Sequence, residues 1–389
     1  MTVPSETWNA LTRGCAEIIS EKELRAKLEE GRPLRIKLGV DPTAADLHLG
    51  HYVALRKLKT FQDLGHHIDF LIGDFTARIG DPSGRSETRP ELSAEQVKTY
   101  ALTYQEQVFR VLDKEKTHVH YNSEWFNAMG TLGLVQLAGH ATVAQMLKRA
   151  DFKKRLEVEG GDISMLEFMY PIMQGYDSYA LNSDLELGGT DQKFNLLMGR
   201  EIQRDYQKDL QVVMMMPLLE GLDGVKKMSK SYGNYVAFND SANDQFGKLM
   251  SIPDTLMSKY AELLTELDLN ALMALHPREA KALLAKTIVT QFHGAEAAAL
   301  AESEFTRVFS KKEIPVQIVE FQTSRGMHRL SDLLAAASLA PSKKEAQRLL
   351  AQGSVQVDGQ RRADRDTVDL QAPVLIQVGK RRFVRVVPT

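Results

Sequence analysis

The sequence predicts an α/β fold: a Rossmann-like parallel-sheet domain over residues 1–235, an α-helical domain over 236–315, and a small α+β domain over 325–389. Three observations carry this. Strand-like and helix-like runs alternate through the first ~235 residues, the pattern of a parallel sheet with crossover helices. Asp240 to Lys312 is rich in Ala and Leu and poor in β-branched residues, which favours helix. The last stretch holds a capped helix, short alternating runs and turn dipeptides, all within about 65 residues.

Composition narrows the class before any motif is used. The chain has 389 residues, 43% hydrophobic and 26% charged, ordinary for a globular protein with a sizeable core. No apolar run approaches the roughly 20 residues of a membrane helix, and Met1 to Leu11 lacks the charged and apolar regions of a signal peptide. The single cysteine, Cys15, excludes an internal disulfide and any cysteine-cluster metal site. A cytoplasmic location is therefore expected. The net charge is −2, unevenly spread. Arg325 to Thr389 carries 12 Lys+Arg against 6 Asp+Glu, a net +6, which leaves −8 for the first 324 residues. A basic tail on an acidic body suits a polyanion, although a solvated charged face has the same composition.

In chain order, Leu34 to Val40 reads as a short strand. Asp41-Pro42-Thr43 follows, then a helix from about Leu47 to Leu64 and a second strand, Ile68 to Ile72. This βαβ start places a nucleotide at the carboxyl edge of the sheet. Thr131 to Leu181 reads as helical, its Met and Leu residues suited to core or subunit contacts. Leu210 to Leu218 reads as a late buried strand leading into a Gly- and Lys-rich loop. Lys311 to Thr323 reads as a linker. In the tail, Ser342-x-x-Glu345 is a capping box and Gly353 a helix stop. Val355 and Val357 alternate up to Asp358-Gly359, a hairpin turn. Val374, Ile376 and Val378 alternate again before Gly379-Lys380 and Phe383 to Val387. Lys343, Lys344, Arg348, Arg361, Arg362, Lys380, Arg381 and Arg382 decorate this unit.

Two short motifs carry chemistry. His48-Leu49-Gly50-His51 opens the first helix just after a strand. A helix N-terminus offers N–H groups and partial positive charge to phosphate, and two histidines three apart share a face. They can donate to an α-phosphate whose charge grows in the transition state. Gly50 lets a flat base approach the backbone. Taken alone, the tetrapeptide also fits two ordinary helix histidines or half a metal site, but no carboxylate or cysteine cluster accompanies it. Lys227-Met228-Ser229-Lys230-Ser231 lies between Gly224 and Gly233. Closely spaced lysines flanked by glycines suit a mobile loop that closes on polyphosphate, where the ammoniums neutralise departing pyrophosphate. Alone, this stretch equally fits a solvated basic loop.

Together these motifs resemble the two signatures of class I aminoacyl-tRNA synthetases. The resemblance runs over nearly the whole chain, and the residues between narrow it to the tyrosyl-tRNA synthetase family. Asp41-Pro42-Thr43 resembles that family's first loop, and Ile79-Gly80-Asp81-Pro82-Ser83-Gly84 its second. There Asp81 would hold the substrate ammonium, with Thr76 beside it. Tyr170, Gln174 and Asp177 share one helix face by spacing alone, although Tyr170 and Gln174 could simply pack. The resemblance implies that Tyr170 and Gln174 contact the amino group and that Asp177 accepts from the phenol hydroxyl. Gly188-Gly189-Thr190-Asp191-Gln192 resembles the loop under the ribose, with Asp191 on a ribose hydroxyl and Gln192 on the amino acid. Gly39, Asp41, Thr43, Gly50, Gly189, Asp191 and Lys230 would line the ATP side. Catalysis would fall to His48, His51, Lys227 and Lys230, and Arg85 and Arg89 would help hold pyrophosphate.

The chain departs from the family pattern at two places. The family's better-known branch has a tyrosine two residues before the glycine of the first loop, a second partner for the phenol. Here that position is Lys37, so recognition of the hydroxyl is expected to rest more heavily on Asp177, with Lys37 the alternative partner. The family's DQWGN reads Asp191-Gln192-Lys193-Phe194-Asn195 here, with no role for Lys193 evident. The tail resembles the S-four-type RNA-binding domain, which implies tRNA contact through Lys343, Lys344, Arg348, Arg361 and Arg362.

The resemblance thus implies a catalytic first domain with a dimerisation insertion near 120–165, a helical anticodon-side domain, and an RNA-binding tail. Tyrosine, ATP with Mg²⁺, and a tRNA for tyrosine would be its partners, no metal would be held by the protein, and the chain would pair with itself. Two other enzymes compete: a tryptophanyl-tRNA synthetase, disfavoured by Asp177 and the basic tail, and a pantothenate-type ligase, which needs neither the helical domain nor the tail. A catalytically silent RNA-binding protein is the third alternative, and intact His48, His51, Lys227 and Lys230 argue against it.

Overall fold

The computed structural model describes residues 2–83, 92–157, 162–310, 318–363, 365–379 and 382–389. Gly84, Arg85 and Arg89, Lys380 and Arg381, and the first seven residues of the expected linker lie outside these. The chain divides into two compact units, 1–294 and 295–389.

The first unit is built on six strands: β1 (Glu17–Ile19), β2 (Arg35–Val40), β3 (His67–Ile72), β4 (Thr117–Tyr121), β5 (Leu185–Gly189) and β6 (Val212–Met216). Their order is β1-β6-β5-β2-β3-β4. β2 to β6 pair in parallel, and β1 joins β6 antiparallel. Both faces of the interior strands are covered, so β6 reads as a continuous apolar run with every residue buried, whereas β2, β3 and β5 each bury one charged residue, Lys37, Asp69 and Glu186. From β2 the chain steps outward through β3 and β4, then returns to the other flank for β5 and β6. Strand order therefore reverses between β2 and β5, and the crevice at their carboxyl ends is where an open α/β sheet takes its ligand.

Helices α1 (Ser5–Thr12), α2 (Glu21–Glu29), α3 (Leu49–Asp63) and α4 (Ala94–Val108) precede β4. The stretch expected to be helical from Thr131 to Leu181 is broken into four: α5 (Ser123–Ala138), α6 (Val143–Met146), α7 (Ala150–Glu157) and α8 (Met165–Ala180). Two capping boxes, Thr142 with Gln145 and Ser164 with Glu167, restart the chain at α6 and at α8. Then α9 (Lys193–Asp205) packs closely on α8, because Gly175 has no side chain to strike the Met198 backbone 3.0 Å from where a Cβ would sit. The region after β6 is helical as expected: α10 (Ala242–Leu249), α11 (Met257–Leu264), α12 (Leu269–Met273) and α13 (Pro277–Ser310), the last interrupted at Gly294. Among the described residues no helix is long and apolar enough to cross a membrane.

The second unit carries β7 (Val319–Thr323), β8 (Gly326–Arg329), α14 (Leu330–Ala336), α15 (Lys343–Ala351), β9 (Val355–Val357), β10 (Gln360–Arg361), β11 (Thr367–Leu370), β12 (Val374–Val378) and β13 (Arg382–Pro388). Five strands form a sheet in the order β10-β9-β12-β13-β7, and β8 pairs with β11. Leu330, Leu334, Leu350, Val355, Ile376 and Val386 form part of its core. Asp358 and Gly359 both take positive φ, the turn foreseen between β9 and β10. Two details differ from expectation. The end of the supposed linker is β7, paired in parallel with β13 from Val319↔Val384 onward; its alternation is too short to stand out without its partner. Ser342 caps α15 by accepting from Glu345 N, but the Glu345 carboxylate turns to Arg348 instead of closing the box.

Candidate active site

A cleft of ≈ 820 Å³ opens at the carboxyl ends of β2 and β5. It is lined by Gly39, Asp41, Thr43, His48, Gly50 and His51 from the β2–α3 segment and by Thr76 and Asp81 after β3. Tyr170, Gln174 and Asp177 of α8 join them, with Gly189, Asp191 and Gln192 after β5 and Lys227 and Lys230 of the late loop. Residues expected to act together on sequence grounds are thus brought into one cavity.

The histidine motif is built differently from the expectation of a helix start with free N–H groups. Leu49 N donates to Val236 O, and His51 N to His48 O. Gly50 N donates to His48 Nδ1 at 3.1 Å, and His48 N to His51 Nδ1 at 3.2 Å. The two imidazoles therefore cap the helix that carries them. Each Nδ1 is an acceptor, which in a neutral ring leaves the proton on Nε2. Both rings are neutral. Burial, then the neighbouring His51 ring and Lys230, hold His48 down at about 2; burial and then Lys230 hold His51 at about 4. The site thus offers two oriented Nε2–H donors without positive charge on the rings. Gly50 serves this arrangement, since a Cβ there would stand 2.9 Å from the His48 ring.

The lysine loop is tied down at its base. Glu220 and Lys227 form a β-bridge, and Ala237 bridges to His48. The Asn234 amide spans the loop: its Oδ1 accepts from Ser229 N at 2.9 Å, and its Nδ2 donates to Asp223, Lys226 O and Lys227 O. Gly224 and Gly233 turn with positive φ at its two ends. Lys227 Nζ lies 3.1 Å from Asp191, and Lys230 Nζ lies 3.8 Å from Asp46. Burial lowers the Lys230 ammonium below its ordinary value. The two lysines thus stand on opposite walls, each beside a carboxylate.

Deeper in the cleft, Asp41 accepts from Thr76 Oγ and from the Tyr170 hydroxyl, both at 2.9 Å. Gly73 makes room for the first of these, because a Cβ there would sit 2.2 Å from Asp41. Gln192 donates to Asp81 at 2.8 Å. Asn195 ties Gln192, Gln174 and Ser83 together, and the buried Arg149 guanidinium holds Asn195 and Ser83 while pairing with Asp151. At the closed end Asp177 is 2% exposed. It accepts from Trp125 Nε1 at 2.9 Å and Asn122 Nδ2 at 3.3 Å. Burial pushes its carboxyl up to about 7, against the pull of Lys37.

Sequence reading missed Asn122, Trp125, Arg149, Asn195, Ser83 and Asn234. Asn195 was visible as the end of the Asp191–Asn195 motif, and Ser83 sits inside the second loop. Asn122 and Trp125 come from the β4–α5 junction and Arg149 from the α6–α7 junction, where no motif points to the cleft. Lys193, which had no role, forms an exposed ion pair with Glu17 of β1. In the second unit, Lys343 pairs with Asp332 and Arg348 with Glu345, while Lys344 and Arg361 are exposed and Arg362 is half-buried. Among the described residues no cluster of three or more His, Cys, Asp or Glu could hold a metal ion.

The description of class I tRNA synthetases (W and Y) matches residues 29–310, and that of the S4 domain matches 328–368. The tyrosine–tRNA ligase of Moorella thermoacetica is 50% identical over 96% of this chain and 94% of its own length. That of Thermotoga maritima is 49% identical over 98% of both. Two solved structures share the fold at 22% identity. A truncated mitochondrial tyrosyl-tRNA synthetase of Aspergillus nidulans has a TM-score of 0.66, covering 78% of this chain and 93% of that one. The Aeropyrum pernix enzyme has 0.61, covering 77% and 97%. With half its residues shared end to end with tyrosine–tRNA ligases, and a cleft that gathers both signature motifs, the chain belongs to the class I tRNA synthetase family in its tyrosyl branch.

Proposed function

We propose that this chain activates tyrosine with ATP and transfers the tyrosyl group to the 3′ end of a tRNA for tyrosine. The observation that carries the reading is a single cleft with two neutral imidazole donors and two lysines at its mouth and a buried carboxylate, Asp177, at its closed end. The tyrosine carboxylate attacks the ATP α-phosphorus in line, the bond to the bridging oxygen of pyrophosphate breaks, and tyrosyl-adenylate forms. A terminal ribose hydroxyl of the tRNA then attacks the acyl carbon and AMP leaves. No protein nucleophile is required, and positioning and electrostatics supply the rate.

His48 and His51 donate Nε2–H to the α-phosphate as charge builds, and Lys227 and Lys230 leave their carboxylates for the departing pyrophosphate. Gly39, Asp41, Thr43 and Gly50 line the nucleotide side, with Gly189 and Asp191 under the ribose. Asp81, Gln192, Tyr170 and Gln174 surround the ammonium of tyrosine, with Thr76 bracing Asp41, and Asp177 accepts from the phenol. Mg²⁺ arrives with ATP as part of the substrate. The basic second unit meets tRNA phosphates through Lys343, Lys344, Arg348, Arg361 and Arg362. A homodimer through the 120–165 insertion is supported by exposed apolar side chains there, Leu132, Val135, Val143 and Leu156 among them.

Exchange of labelled pyrophosphate into ATP, run with each amino acid in turn, tests the activation step. Exchange is expected with tyrosine alone; equal exchange with tryptophan, or none with any amino acid, overturns the assignment.

A further inference from the structure

The wall between β2 and β5 holds an ammonium that none of these steps uses. Lys37 is 0% exposed, and Glu186, its register partner on β5, is 1% exposed. Lys37 Nζ lies 2.8 Å from Glu186 Oε1, 2.9 Å from Ser178 Oγ and 3.2 Å from the Gln174 carbonyl. An ammonium has three N–H donors, and all three are given inside the wall. Glu186 is committed too: its Oε2 accepts from Ser178 Oγ at 2.9 Å and from Gln211 Nε2 at 2.6 Å. Lys37 therefore has no proton to offer a phenol hydroxyl, although it stands where the family's other branch keeps a tyrosine.

What Lys37 does hold is α8. Gln174 and Ser178 flank Asp177 on that helix, so the ammonium clamps to β5 the turn that carries the carboxylate. A matched pair of buried charges is a poor way to gain stability, since apolar residues of similar volume do as well or better. Its presence beside Asp177 points to an electrostatic task. The groups facing Asp177 are Lys37 from β2, Glu186 from β5, and the N–H donors of Trp125 and Asn122 from the β4–α5 junction. Lys37 is the positive charge among them.

We propose that Lys37 is a positioning residue for tyrosine specificity: it locks the Gln174–Ser178 turn of α8 onto Glu186 and fixes a cation beside the carboxylate that reads the phenol. The inference rests on the proposed reading of the hydroxyl by Asp177.

The test is Lys37→Met combined with Glu186→Gln, which removes both charges and leaves no orphaned anion. Activation is measured with tyrosine and with phenylalanine from about pH 6 to about pH 9. The tyrosine KM is expected to rise roughly tenfold with the ATP KM unchanged, and preference for tyrosine over phenylalanine to fall by a similar factor. Without the cation Asp177 is protonated at higher pH, so the acidic rise in tyrosine KM moves upward in pH. That preference is a ratio within the folded fraction, so partial unfolding does not move it. A folded double variant with wild-type KM, preference and pH profile overturns the proposal. Lys37→Arg keeps the charge but replaces a tetrahedral donor with a planar fork. It is expected to keep the pH profile and raise the tyrosine KM, and an unchanged KM overturns the clamp even where the double variant does not fold. Asp177→Asn separates the two readings. If it retains tyrosine preference, the reading of the phenol by Asp177 fails; if it loses preference while the double variant keeps it, only the role of Lys37 fails.

Discussion

At the scale of single residues, Asp177 and the histidines make opposite demands on pH. Asp177→Ala should erase most of the preference for tyrosine over phenylalanine, because the lost acceptor is worth ~1.5–3 kcal/mol, roughly a 10- to 150-fold change. Parallel kcat/KM values for the two amino acids check it, and an unchanged ratio refutes it. His51 is held at about 4 in the folded protein against an ordinary ~6.5. Between these values the unfolded chain binds a proton that the folded one refuses, so this contribution to stability falls as pH drops from about 6.5 toward about 4. His51→Asn keeps an acceptor for His48 N and does not titrate, so its melting temperature should fall less steeply over that window than the wild type's. Coincident profiles would show that His51 is not buried neutral. The signature histidines and lysines were legible because each motif is contiguous. Asn122, Trp125 and Arg149 were not, because their roles exist only once β4 and the α6–α7 turn are folded against α8 and α9.

At the scale of elements, the lysine loop acts as a braced hairpin with one polar strut. Lys230→Ala should slow activation by roughly 10²-fold with the tyrosine KM nearly unchanged, as expected of a contact made mainly in the transition state. Asn234→Ala should reproduce that pattern in weaker form, because it releases Ser229 N and the Lys226 and Lys227 carbonyls without removing a charge. Equal losses in tyrosine affinity and in rate would place the loop against the amino acid instead. The strands of the βαβ start and late β6 were readable from short apolar runs with turn signals. The helix breaks between α5 and α8 were not, although Thr142 and Ser164 carried capping signatures, because the apolar spacing runs on across the breaks. β7 was hidden by its length: five residues acquire strand character only beside β13.

At the scale of the whole molecule, β7 decides where the tail can be removed. A cut before Val319 takes all of the second sheet, whereas one after Thr323 would leave β7 behind without its partner β13. The shorter protein should retain pyrophosphate exchange, since every residue assigned to ATP and tyrosine precedes Ser231. It should charge tRNA poorly, with a shallower salt dependence of tRNA binding because fewer counterions are released. Charging equal to the full-length chain refutes an RNA-binding tail; joint loss of exchange and charging would make the tail structural. Val135, 64% exposed on α5, tests the pairing of two chains. Val135→Glu should shift the sedimenting species from dimer toward monomer, and an unaltered mass would place the interface elsewhere. The charge asymmetry that announced the tail needed only counting, whereas the proposed pairing surface draws its exposed apolar side chains from three separate helices, α5, α6 and α7.

Because His48 and His51 close the first turn of α3 with their own rings, the catalytic role proposed for them would put them under selection twice, once through turnover and once through folding. A descendant relieved of catalysis cannot shed them by neutral drift as it could shed Lys230. Losing His48 also uncaps the helix, at about 1 kcal/mol, in a protein whose margin is only about 5–15 kcal/mol. Silent relatives of this lineage are therefore expected to carry Asn, Asp or Ser at position 48 rather than an arbitrary residue. They should lose the lysines first, and a sequence retaining both histidines but no loop lysine marks a recent departure from catalysis.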